Sequence, residues 1–321
     1  MFKKILAKFG KGAATVDLRF ENRSYSAGET LHGEVLIQGG EVEQKMNSLA
    51  ARFMMSVVTK QGSVTREVAT IPLDGAYTIL PKEQKVIPFS YDIPRNLPVS
   101  RGGISYYFDT HLDIEGGVDR TDFDRLVVEA PKEVQNIFYA FNRLGFQEKS
   151  TSGKLDTYGQ EFAFFPREEF VNDVDEVEIR FAYEDSGIHI WMEVDCRTRH
   201  GEMEAKREFF IEKNVLQEIR EIANILKEYI TEMVNNPYAY TQPFSYQTQQ
   251  QYGLSQHSGS GRSPIAGMVG GLAVGILGGM LLNELMDELG VDEMVEEATE
   301  EIGINEEESF LGDFFGDSDD E

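Results

Sequence analysis

Cysteine is almost absent from this 321-residue chain, which contains a single one, Cys196. One thiol cannot form an internal disulfide framework, and it cannot supply a cysteine zinc site. So little cysteine is typical of a reducing compartment, and no stretch resembles a signal-peptide core. We therefore expect an unsecreted, cytoplasmic protein.

Basic residues are also scarce. The chain has 30 Lys and Arg against 56 Asp and Glu, which gives a formal net charge of -26. Of these acids, 17 lie in residues 283–321, where Lys and Arg are absent, so the rest of the chain is only mildly acidic. Nucleic-acid binding needs a basic surface that neutralises phosphates, and we expect none here.

Motifs for catalysis are missing as well. The sequence has no Gly-rich phosphate loop after a strand, no nucleophile elbow and no Cys–His pair close in sequence. Five histidines are scattered without the spacing of a zinc hydrolase: His32, His111, His189, His200 and His257. We therefore predict a protein that is not an enzyme, with no catalytic, cofactor-binding or metal residues and no cofactor.

Acidic residues are densest between positions 109 and 124. The members of this acidic cluster are Asp109, Asp113, Glu115, Asp119, Asp122 and Asp124. Loops at the end of a β-sandwich can supply oxygen ligands to calcium, but this spacing does not match an EF-hand loop. We interpret the cluster as a solvated strand face, and calcium binding is the alternative that stays open.

Alternating apolar and polar residues dominate from Ala14 to about Glu212, which is the pattern of half-buried strands. Paired glycines and an Asp-Ser-Gly turn at 185–187 separate the strands. Many short strands at this spacing predict antiparallel sheets packed face to face. We predict a mainly β fold with two antiparallel β-sandwich domains, at 14–131 and 132–213.

Two helices accompany the strands. The first is predicted at Glu133–Leu144, between the two domains, where apolar residues form one stripe. The second is predicted at 214–234, with Asn214 as its cap and Gln217 at the capping-box position. Its apolar seam is compatible with docking on the sandwich or with a dimer contact.

Residues 1–13 form a basic amphipathic arm in which lysines alternate with apolar residues. Two interpretations stay open for it: a membrane-surface anchor, or a first turn that packs on the body of the protein. Residues 235–263 are rich in Tyr, Gln, Ser, Pro and Gly, and this composition predicts a flexible linker.

Residues 264–283 are apolar, and 18 consecutive positions from Ile265 to Leu282 carry no charge. Four glycines recur at every fourth position: Gly267, Gly271, Gly275 and Gly279. Small residues at this spacing let helices approach closely, so self-association or membrane insertion is one interpretation. A docked Gly-rich hairpin and a flexible run are the others.

Residues 284–321 form an acidic tail with helical apolar spacing at its start. Near its end stand three aromatic residues among acids: Phe310, Phe314 and Phe315. They are candidate partner-binding residues, and a purely solubilising tail is the alternative.

Two further residues stand out within the predicted strands. Trp191 is expected on the outward face of its strand, either as an exposed partner-binding hot spot or beneath the helix after Asn214. Cys196 is expected on the inward face, as a buried structural thiol.

Several separated segments resemble the SpoOM sporulation-control family, which has an arrestin-like fold. They are 14–46, then 87–100 (IPFSYDIPRNLPVS), then 107–131 (YFDTHLDIEGGVDRTDFDRLVVEAP), followed by the helix that ends in Leu144-Gly145-Phe146. Two departures are small: Ala27 stands where the family usually has proline, and Phe108 where tryptophan is common.

The resemblance implies a non-enzymatic regulatory scaffold or adaptor that binds protein partners through sheet edges and loops, at or away from a membrane. The alternative is a self-assembling, membrane-associated structural protein that depends on the glycine segment. A metal-dependent enzyme on the acidic cluster is the least favoured function.

Overall fold

The computed structural model describes residues 12–59, 62–156 and 158–246. The basic arm up to residue 11, the glycine segment and the acidic tail lie outside these ranges, and so do Phe310, Phe314 and Phe315. The two helices described are α1, Lys132–Arg143, and α2, Ile219–Asn235. Neither of them has the length and apolar character that crossing a bilayer requires.

The described residues are mainly β, as the alternating pattern predicts. They form fifteen strands: β1 Thr15–Phe20, β2 Ser24–Ser26, β3 Thr30–Gln38, β4 Gln44–Thr59, β5 Gly62–Asp74, β6 Tyr77–Ile79, β7 Gln84–Asp92, β8 Ile104–Ile114, β9 Arg120–Glu129, β10 Phe146–Glu148, β11 Lys154–Asp156, β12 Gly159–Pro166, β13 Val174–Glu184, β14 Gly187–Thr198 and β15 Gly201–Glu212. Short 3₁₀ helices lie at Val215–Gln217 and Pro237–Tyr240.

The first half consists of two sheets around one core. One sheet has the strand order β1-β3-β7, and the other has the order β2-β9-β8-β4-β5 with β6 beside β4. All pairs are antiparallel except β2 with β9. The inward residues of both sheets belong to a single apolar cluster, because alternation places every second side chain on the inner face.

Phe108 of β8 lies at the centre of this first core and is 0% exposed. Four aromatic rings surround it, with centroids 5.0 to 5.9 Å away: Phe20, Phe53, Phe89 and Tyr91. Three of these contacts are edge-on or nearly so, which is a favoured arrangement of aromatic pairs. The position that departs from the family pattern is therefore fully used in packing.

The second half is built differently from the predicted second sandwich. Its described strands form one sheet, in the order β10-β12-β13-β14-β15 with β11 beside β12. Helices α1 and α2 share one apolar core with the inner side chains of this sheet. The prediction of a second pair of facing sheets is therefore wrong, because two amphipathic helices supply the covering layer.

Helix α2 starts later than the sequence predicts. Residues Val215–Gln217 form a 3₁₀ turn, and Glu218, with φ -113° and ψ 89°, interrupts the helical backbone before Ile219. Asn214 makes no capping hydrogen bond with its side chain. The apolar seam of α2, including Ile222, Leu226 and Met233, is buried against the body, in agreement with the docking interpretation.

The two halves are joined by several contacts. The backbone N–H of Val99 donates to Oε1 of Gln160 at 2.7 Å, and Nε2 of Gln160 donates back to the carbonyl of Val99 at 3.0 Å. Leu155, which comes from the second half of the chain, is buried in the first core. The predicted domain boundary near Pro131 stays a prediction, because the chain crosses back after it.

Residues 236–246 pack on the body, although their composition predicts a linker. Pro237–Tyr240 lies against β15, and Phe244 is buried with 4% exposure. The predicted flexible segment therefore starts too early, since three aromatic residues in this stretch find an apolar surface to cover. The remaining linker residues, 247–263, lie outside the described ranges.

Candidate functional site

Trp191 is buried, and this corrects its interpretation as an exposed hot spot. Alternation along β14 points Ile190 and Met192 into the second core and places Trp191 on the opposite face of the sheet. That side chain is nevertheless only 2% exposed, because Phe244 and Tyr246 cover it. The residues that cover Trp191 come from the segment after α2, and not from the helix.

The covered face contains a small cavity of about 130 Å³. We call it the outer-face cavity. Its lining combines aromatic rings with four carboxylates and one guanidinium: Asp156, Tyr158, Glu161, Glu178, Ile179, Arg180, Trp191, Glu193, Phe244 and Tyr246. Acidic side chains outnumber basic ones in this lining.

Arg180 is one of the residues that line the cavity. Its Nη1 and Nη2 donate to Oδ1 and Oδ2 of Asp156, both at 2.7 Å, and Nη2 also pairs with Glu161. A further hydrogen bond goes from Nη1 to the carbonyl of Gly159 at 3.1 Å. Two parallel bonds to one carboxylate are the strong geometry of a guanidinium, so Arg180 is fully engaged.

Glu178 and Glu193 stand directly opposite each other on β13 and β14. Like charges in this position repel each other across the strands. Burial, and then the surrounding carboxylates, raises the pKa of Glu178 to about 8. Burial likewise raises the pKa of Glu193 to about 7, although Lys206 lies 3.2 Å from it and opposes that shift.

The indole N–H of Trp191 adds a second unusual feature to this cavity. Its Nε1 atom is buried and has no hydrogen-bond partner among the described residues. A buried donor without an acceptor is costly, and such groups are uncommon in folded proteins. The outer-face cavity is therefore lined both by two facing acidic groups with raised pKa values and by a residue with an unpartnered donor.

A long edge strand lies at one side of the first half. Strand β5 has 13 residues and ends the six-stranded sheet, next to β4. None of its residues is fully buried. A long edge strand presents backbone groups that a second chain can pair with.

The other long edges of the described sheets are less accessible. The 3₁₀ helix Pro237–Tyr240 lies against β15, and Glu208 of β15 accepts hydrogen bonds from Ser245. Strand β1 packs beside β9, and β7 contains Pro88, which has no N–H. Strand β5 is therefore the best-placed edge for a partner strand.

The acidic cluster of residues 109–124 does not act as one unit. Asp109 is buried with 6% exposure and pairs with Arg52, so the solvated-face interpretation is wrong for this residue. Oδ1 of Asp113 accepts from Asn47 at 2.9 Å, and Oδ1 of Asp119 accepts from the backbone N–H of Ile114 at 3.1 Å.

The last acids of this cluster face β1 and its neighbours. Oδ2 of Asp122 accepts from the backbone N–H of Leu18 at 2.8 Å. Burial, with Asp122 and Asp17 nearby, raises the pKa of Asp124 to about 7. Within the described ranges, no three side chains among His, Cys, Asp and Glu come together as metal ligands. The cluster mainly supports the fold around β8 and β9.

Cys196 lies where the sequence predicts it, on the inner face of β14 and 1% exposed. Burial raises the pKa of its thiol to about 11, so it is a poor nucleophile. The four glycines Gly267, Gly271, Gly275 and Gly279 lie outside the described residues.

The architecture of the described residues is that of a mainly β protein with several antiparallel sheets and two helices. A family model described as SpoOM protein matches residues 2–199, and the chain therefore belongs to the SpoOM family.

A sequence comparison and a structural comparison, both with Spo0M of Bacillus subtilis, support this assignment. The sporulation-control protein spo0M of Bacillus subtilis is 34% identical over 213 residues, which cover 62% of this chain and 81% of that protein. The crystal structure of Spo0M from Bacillus subtilis matches with a TM-score of 0.56 and 27% identity, over 69% of this chain and 99% of the other. The family resemblance inferred from the sequence is thus confirmed.

Proposed function

We propose that this chain is a non-enzymatic regulatory adaptor that binds a protein partner by adding a strand to the free edge of β5. The observation that carries the proposal is the length and exposure of this edge, 13 residues without a fully buried position. Main-chain pairing along such an edge gives affinity, and side chains on alternate positions give specificity.

The sequence of β5 limits where the partner would pair. Pro72 near its end cannot donate a hydrogen bond, and the register with β4 shifts between Phe53 and Met54. A proline and a bulge both discourage indiscriminate edge pairing. The pairing stretch is therefore the first part of the strand, from Ser63 to about Glu67.

We include in the same proposal that the two halves have an arrestin-like arrangement. Two sheets around one core in the first half support it, and the helix-covered sheet of the second half is a variation on it. The name of the relative spo0M points to regulation of sporulation in its own organism. We propose a regulatory role of that general kind for this chain, in the cytoplasm and without catalysis.

Proline and alanine variants at one position test strand addition. Thr65→Pro removes a backbone N–H from β5, whereas Thr65→Ala removes the side chain and keeps that N–H. Successive N–H groups of a strand alternate in direction, so the same pair of variants at Arg66 covers the other side. We expect one of the two proline variants to stay folded and to weaken partner binding by about tenfold.

The measurement is quantitative affinity capture from cell extract, with thermal melting of every variant. Proteins retained by the wild type and by the alanine variants, but lost on the folded proline variant, identify strand-addition partners. If the folded proline variant retains the same proteins as its alanine control, the β5 proposal is overturned.

Truncation separates the adaptor from the self-assembling alternative. Because Phe244 and Tyr246 cover Trp191, the truncation should end after Tyr246. We expect the shortened chain, without residues 247–321, to retain the partners that depend on β5. Loss of these partners, together with loss of sedimenting assemblies in cell fractionation, would instead favour the self-assembling membrane-associated protein.

A further inference from the structure

We propose that the outer-face cavity of the second half binds the side chain of an arginine presented by a partner peptide. This site lies on the sheet that contains β13 and β14, whereas β5 belongs to the first half. The inference is therefore independent of strand addition at β5.

Glu178 and Glu193 are two acidic groups that face each other in the lining of the cavity. Within the described part of the chain, Glu178 has no ion pair and no hydrogen bond from a side chain, while Glu193 faces it directly. Lys206 is the nearby cation, and it is shared between Glu193 at 3.2 Å and Glu204 at 2.6 Å. A second cation between the two glutamates would favour their ionised forms and lower both raised pKa values, so that Glu178 releases its proton when the cation binds.

Aromatic rings form part of the cavity wall. The ring of Tyr246 lies 5.3 Å from the ring of Trp191 and 4.8 Å from the ring of Tyr158. Phe244 stacks beside Tyr246 with its ring centroid at 5.3 Å. Cations are attracted to aromatic faces, and a planar guanidinium also stacks on them.

Arg180 is an example, within the chain, of the interaction proposed for the partner arginine. Arg180, which pairs in register with Trp191, already places a guanidinium on this face. It is held by Asp156 on both of its outer nitrogens and by Glu161. Carboxylates beside aromatic rings thus bind one arginine within the chain, and Glu178 with Glu193 repeats that combination of groups.

The indole N–H of Trp191 is an unpartnered donor at this cavity. Trp191 lines the cavity, is 2% exposed, and has no acceptor for its Nε1–H among the described residues. A free inorganic cation offers no acceptor, but every peptide residue has a carbonyl. An arginine residue in a peptide therefore carries both a cation for the carboxylates and an acceptor for the indole N–H.

The volume of the cavity agrees with an arginine side chain as the ligand. A cavity of about 130 Å³ holds several water molecules or the end of one long side chain, and it is too small for a drug-sized ligand. The segment from Phe244 to Tyr246 covers the site, so the rest of the peptide would lie along this segment. One anchoring side chain is therefore the recognition unit.

The test titrates the full chain with acetyl-Gly-Arg-Gly-amide in a calorimeter, with the citrulline peptide as a neutral isostere. Trp191 is the only tryptophan of the chain, so its fluorescence reports binding at this site. We expect saturable binding of the arginine peptide with a change in fluorescence, and no binding of the citrulline peptide. Glu178→Gln should weaken the binding by about 10- to 100-fold.

Glu228→Gln is the matched control, because it removes one exposed carboxylate from α2, outside the cavity. It should leave the dissociation constant unchanged. The proposal is overturned if the arginine and citrulline peptides bind equally, if neither binds, or if Glu178→Gln binds like the wild type. Equal binding of a lysine peptide would overturn the assignment to a guanidinium.

Discussion

Replacing Phe108 with alanine should lower the free energy of unfolding by about 3 to 5 kcal/mol. The side chain is fully buried at the meeting point of both sheets of the first half, and four aromatic rings contact it. These rings belong to three different strands, β1, β4 and β7, so they cannot all move inward to fill the space. The variant loses both the transfer free energy of the ring and the contacts around the resulting cavity.

Urea unfolding followed by circular dichroism measures this loss. The matched control is Phe123→Ala on the neighbouring strand β9, where the side chain is 54% exposed. Its effect should stay within about 0.5 kcal/mol. Equal destabilisation by the two variants, or a loss under about 1 kcal/mol for Phe108→Ala, would show that Phe108 is not the centre of the first core.

The same variant also bears on the division into domains. Trp191 lies in the second half, so its fluorescence reports unfolding of that half alone. We expect the fluorescence and circular dichroism transitions to shift together, because Leu155 and Gln160 tie the second half to the first. A fluorescence transition that does not shift would support two separate domains with a boundary near Pro131.

The alternation of apolar and polar residues predicts most of the strands. In the hairpin of β13 and β14, the position of the turn also predicts which residues pair. The turn at Asp185 and Ser186 pairs Glu184 with Gly187. Counting back along both strands then places Glu178 opposite Glu193. The repulsive pair of the outer-face cavity was therefore readable from the sequence, once the hairpin was recognised.

The cover over Trp191 was not readable in this way. Phe244 and Tyr246 lie more than 50 positions beyond it, in a stretch whose composition is typical of a linker. Only the path of the chain after α2 brings them onto the outer face of the sheet. Alternation assigns a side chain to a face, but it does not show what covers that face.

The layer that covers the second sheet is another case of this kind. The seam of α2 predicts that the helix buries one face, and the helix does so. The seam does not specify whether the opposing surface is a sheet, a helix or a second chain. Here α2 packs on both α1 and β14, so the tertiary arrangement decides the architecture of this half.

Glu178→Gln should stabilise the protein at pH 8 by about 2 kcal/mol and have little effect at pH 5. Burial raises the pKa of Glu178 from its usual 4.5 to about 8 in the folded state. Between these values the folded state holds a proton that the unfolded state has released. The free energy of unfolding of the wild type therefore falls as the pH rises through this range.

Glutamine resembles the protonated acid and does not ionise, so the variant escapes this loss. Each unit of pKa shift corresponds to about 1.4 kcal/mol, and partial exposure of the side chain to solvent reduces the total. The charged groups around Glu178 are Glu176 and Arg180 on its own strand, Glu161, Glu193, Asp195 and Lys206 on the other strands of the sheet, and Lys149 after β10. Because Glu193 also has a raised pKa, the variant should keep part of the pH dependence.

Urea unfolding of the wild type, Glu178→Gln and Glu228→Gln at several pH values between 5 and 8 checks this expectation. Parallel curves for wild type and Glu178→Gln, or an equal gain in the exposed control, would rule out repulsion at Glu178 as a source of instability. A gain confined to Glu178→Gln at high pH would show that this variant is folded. Its loss of arginine binding would then report a missing ligand contact and not unfolding.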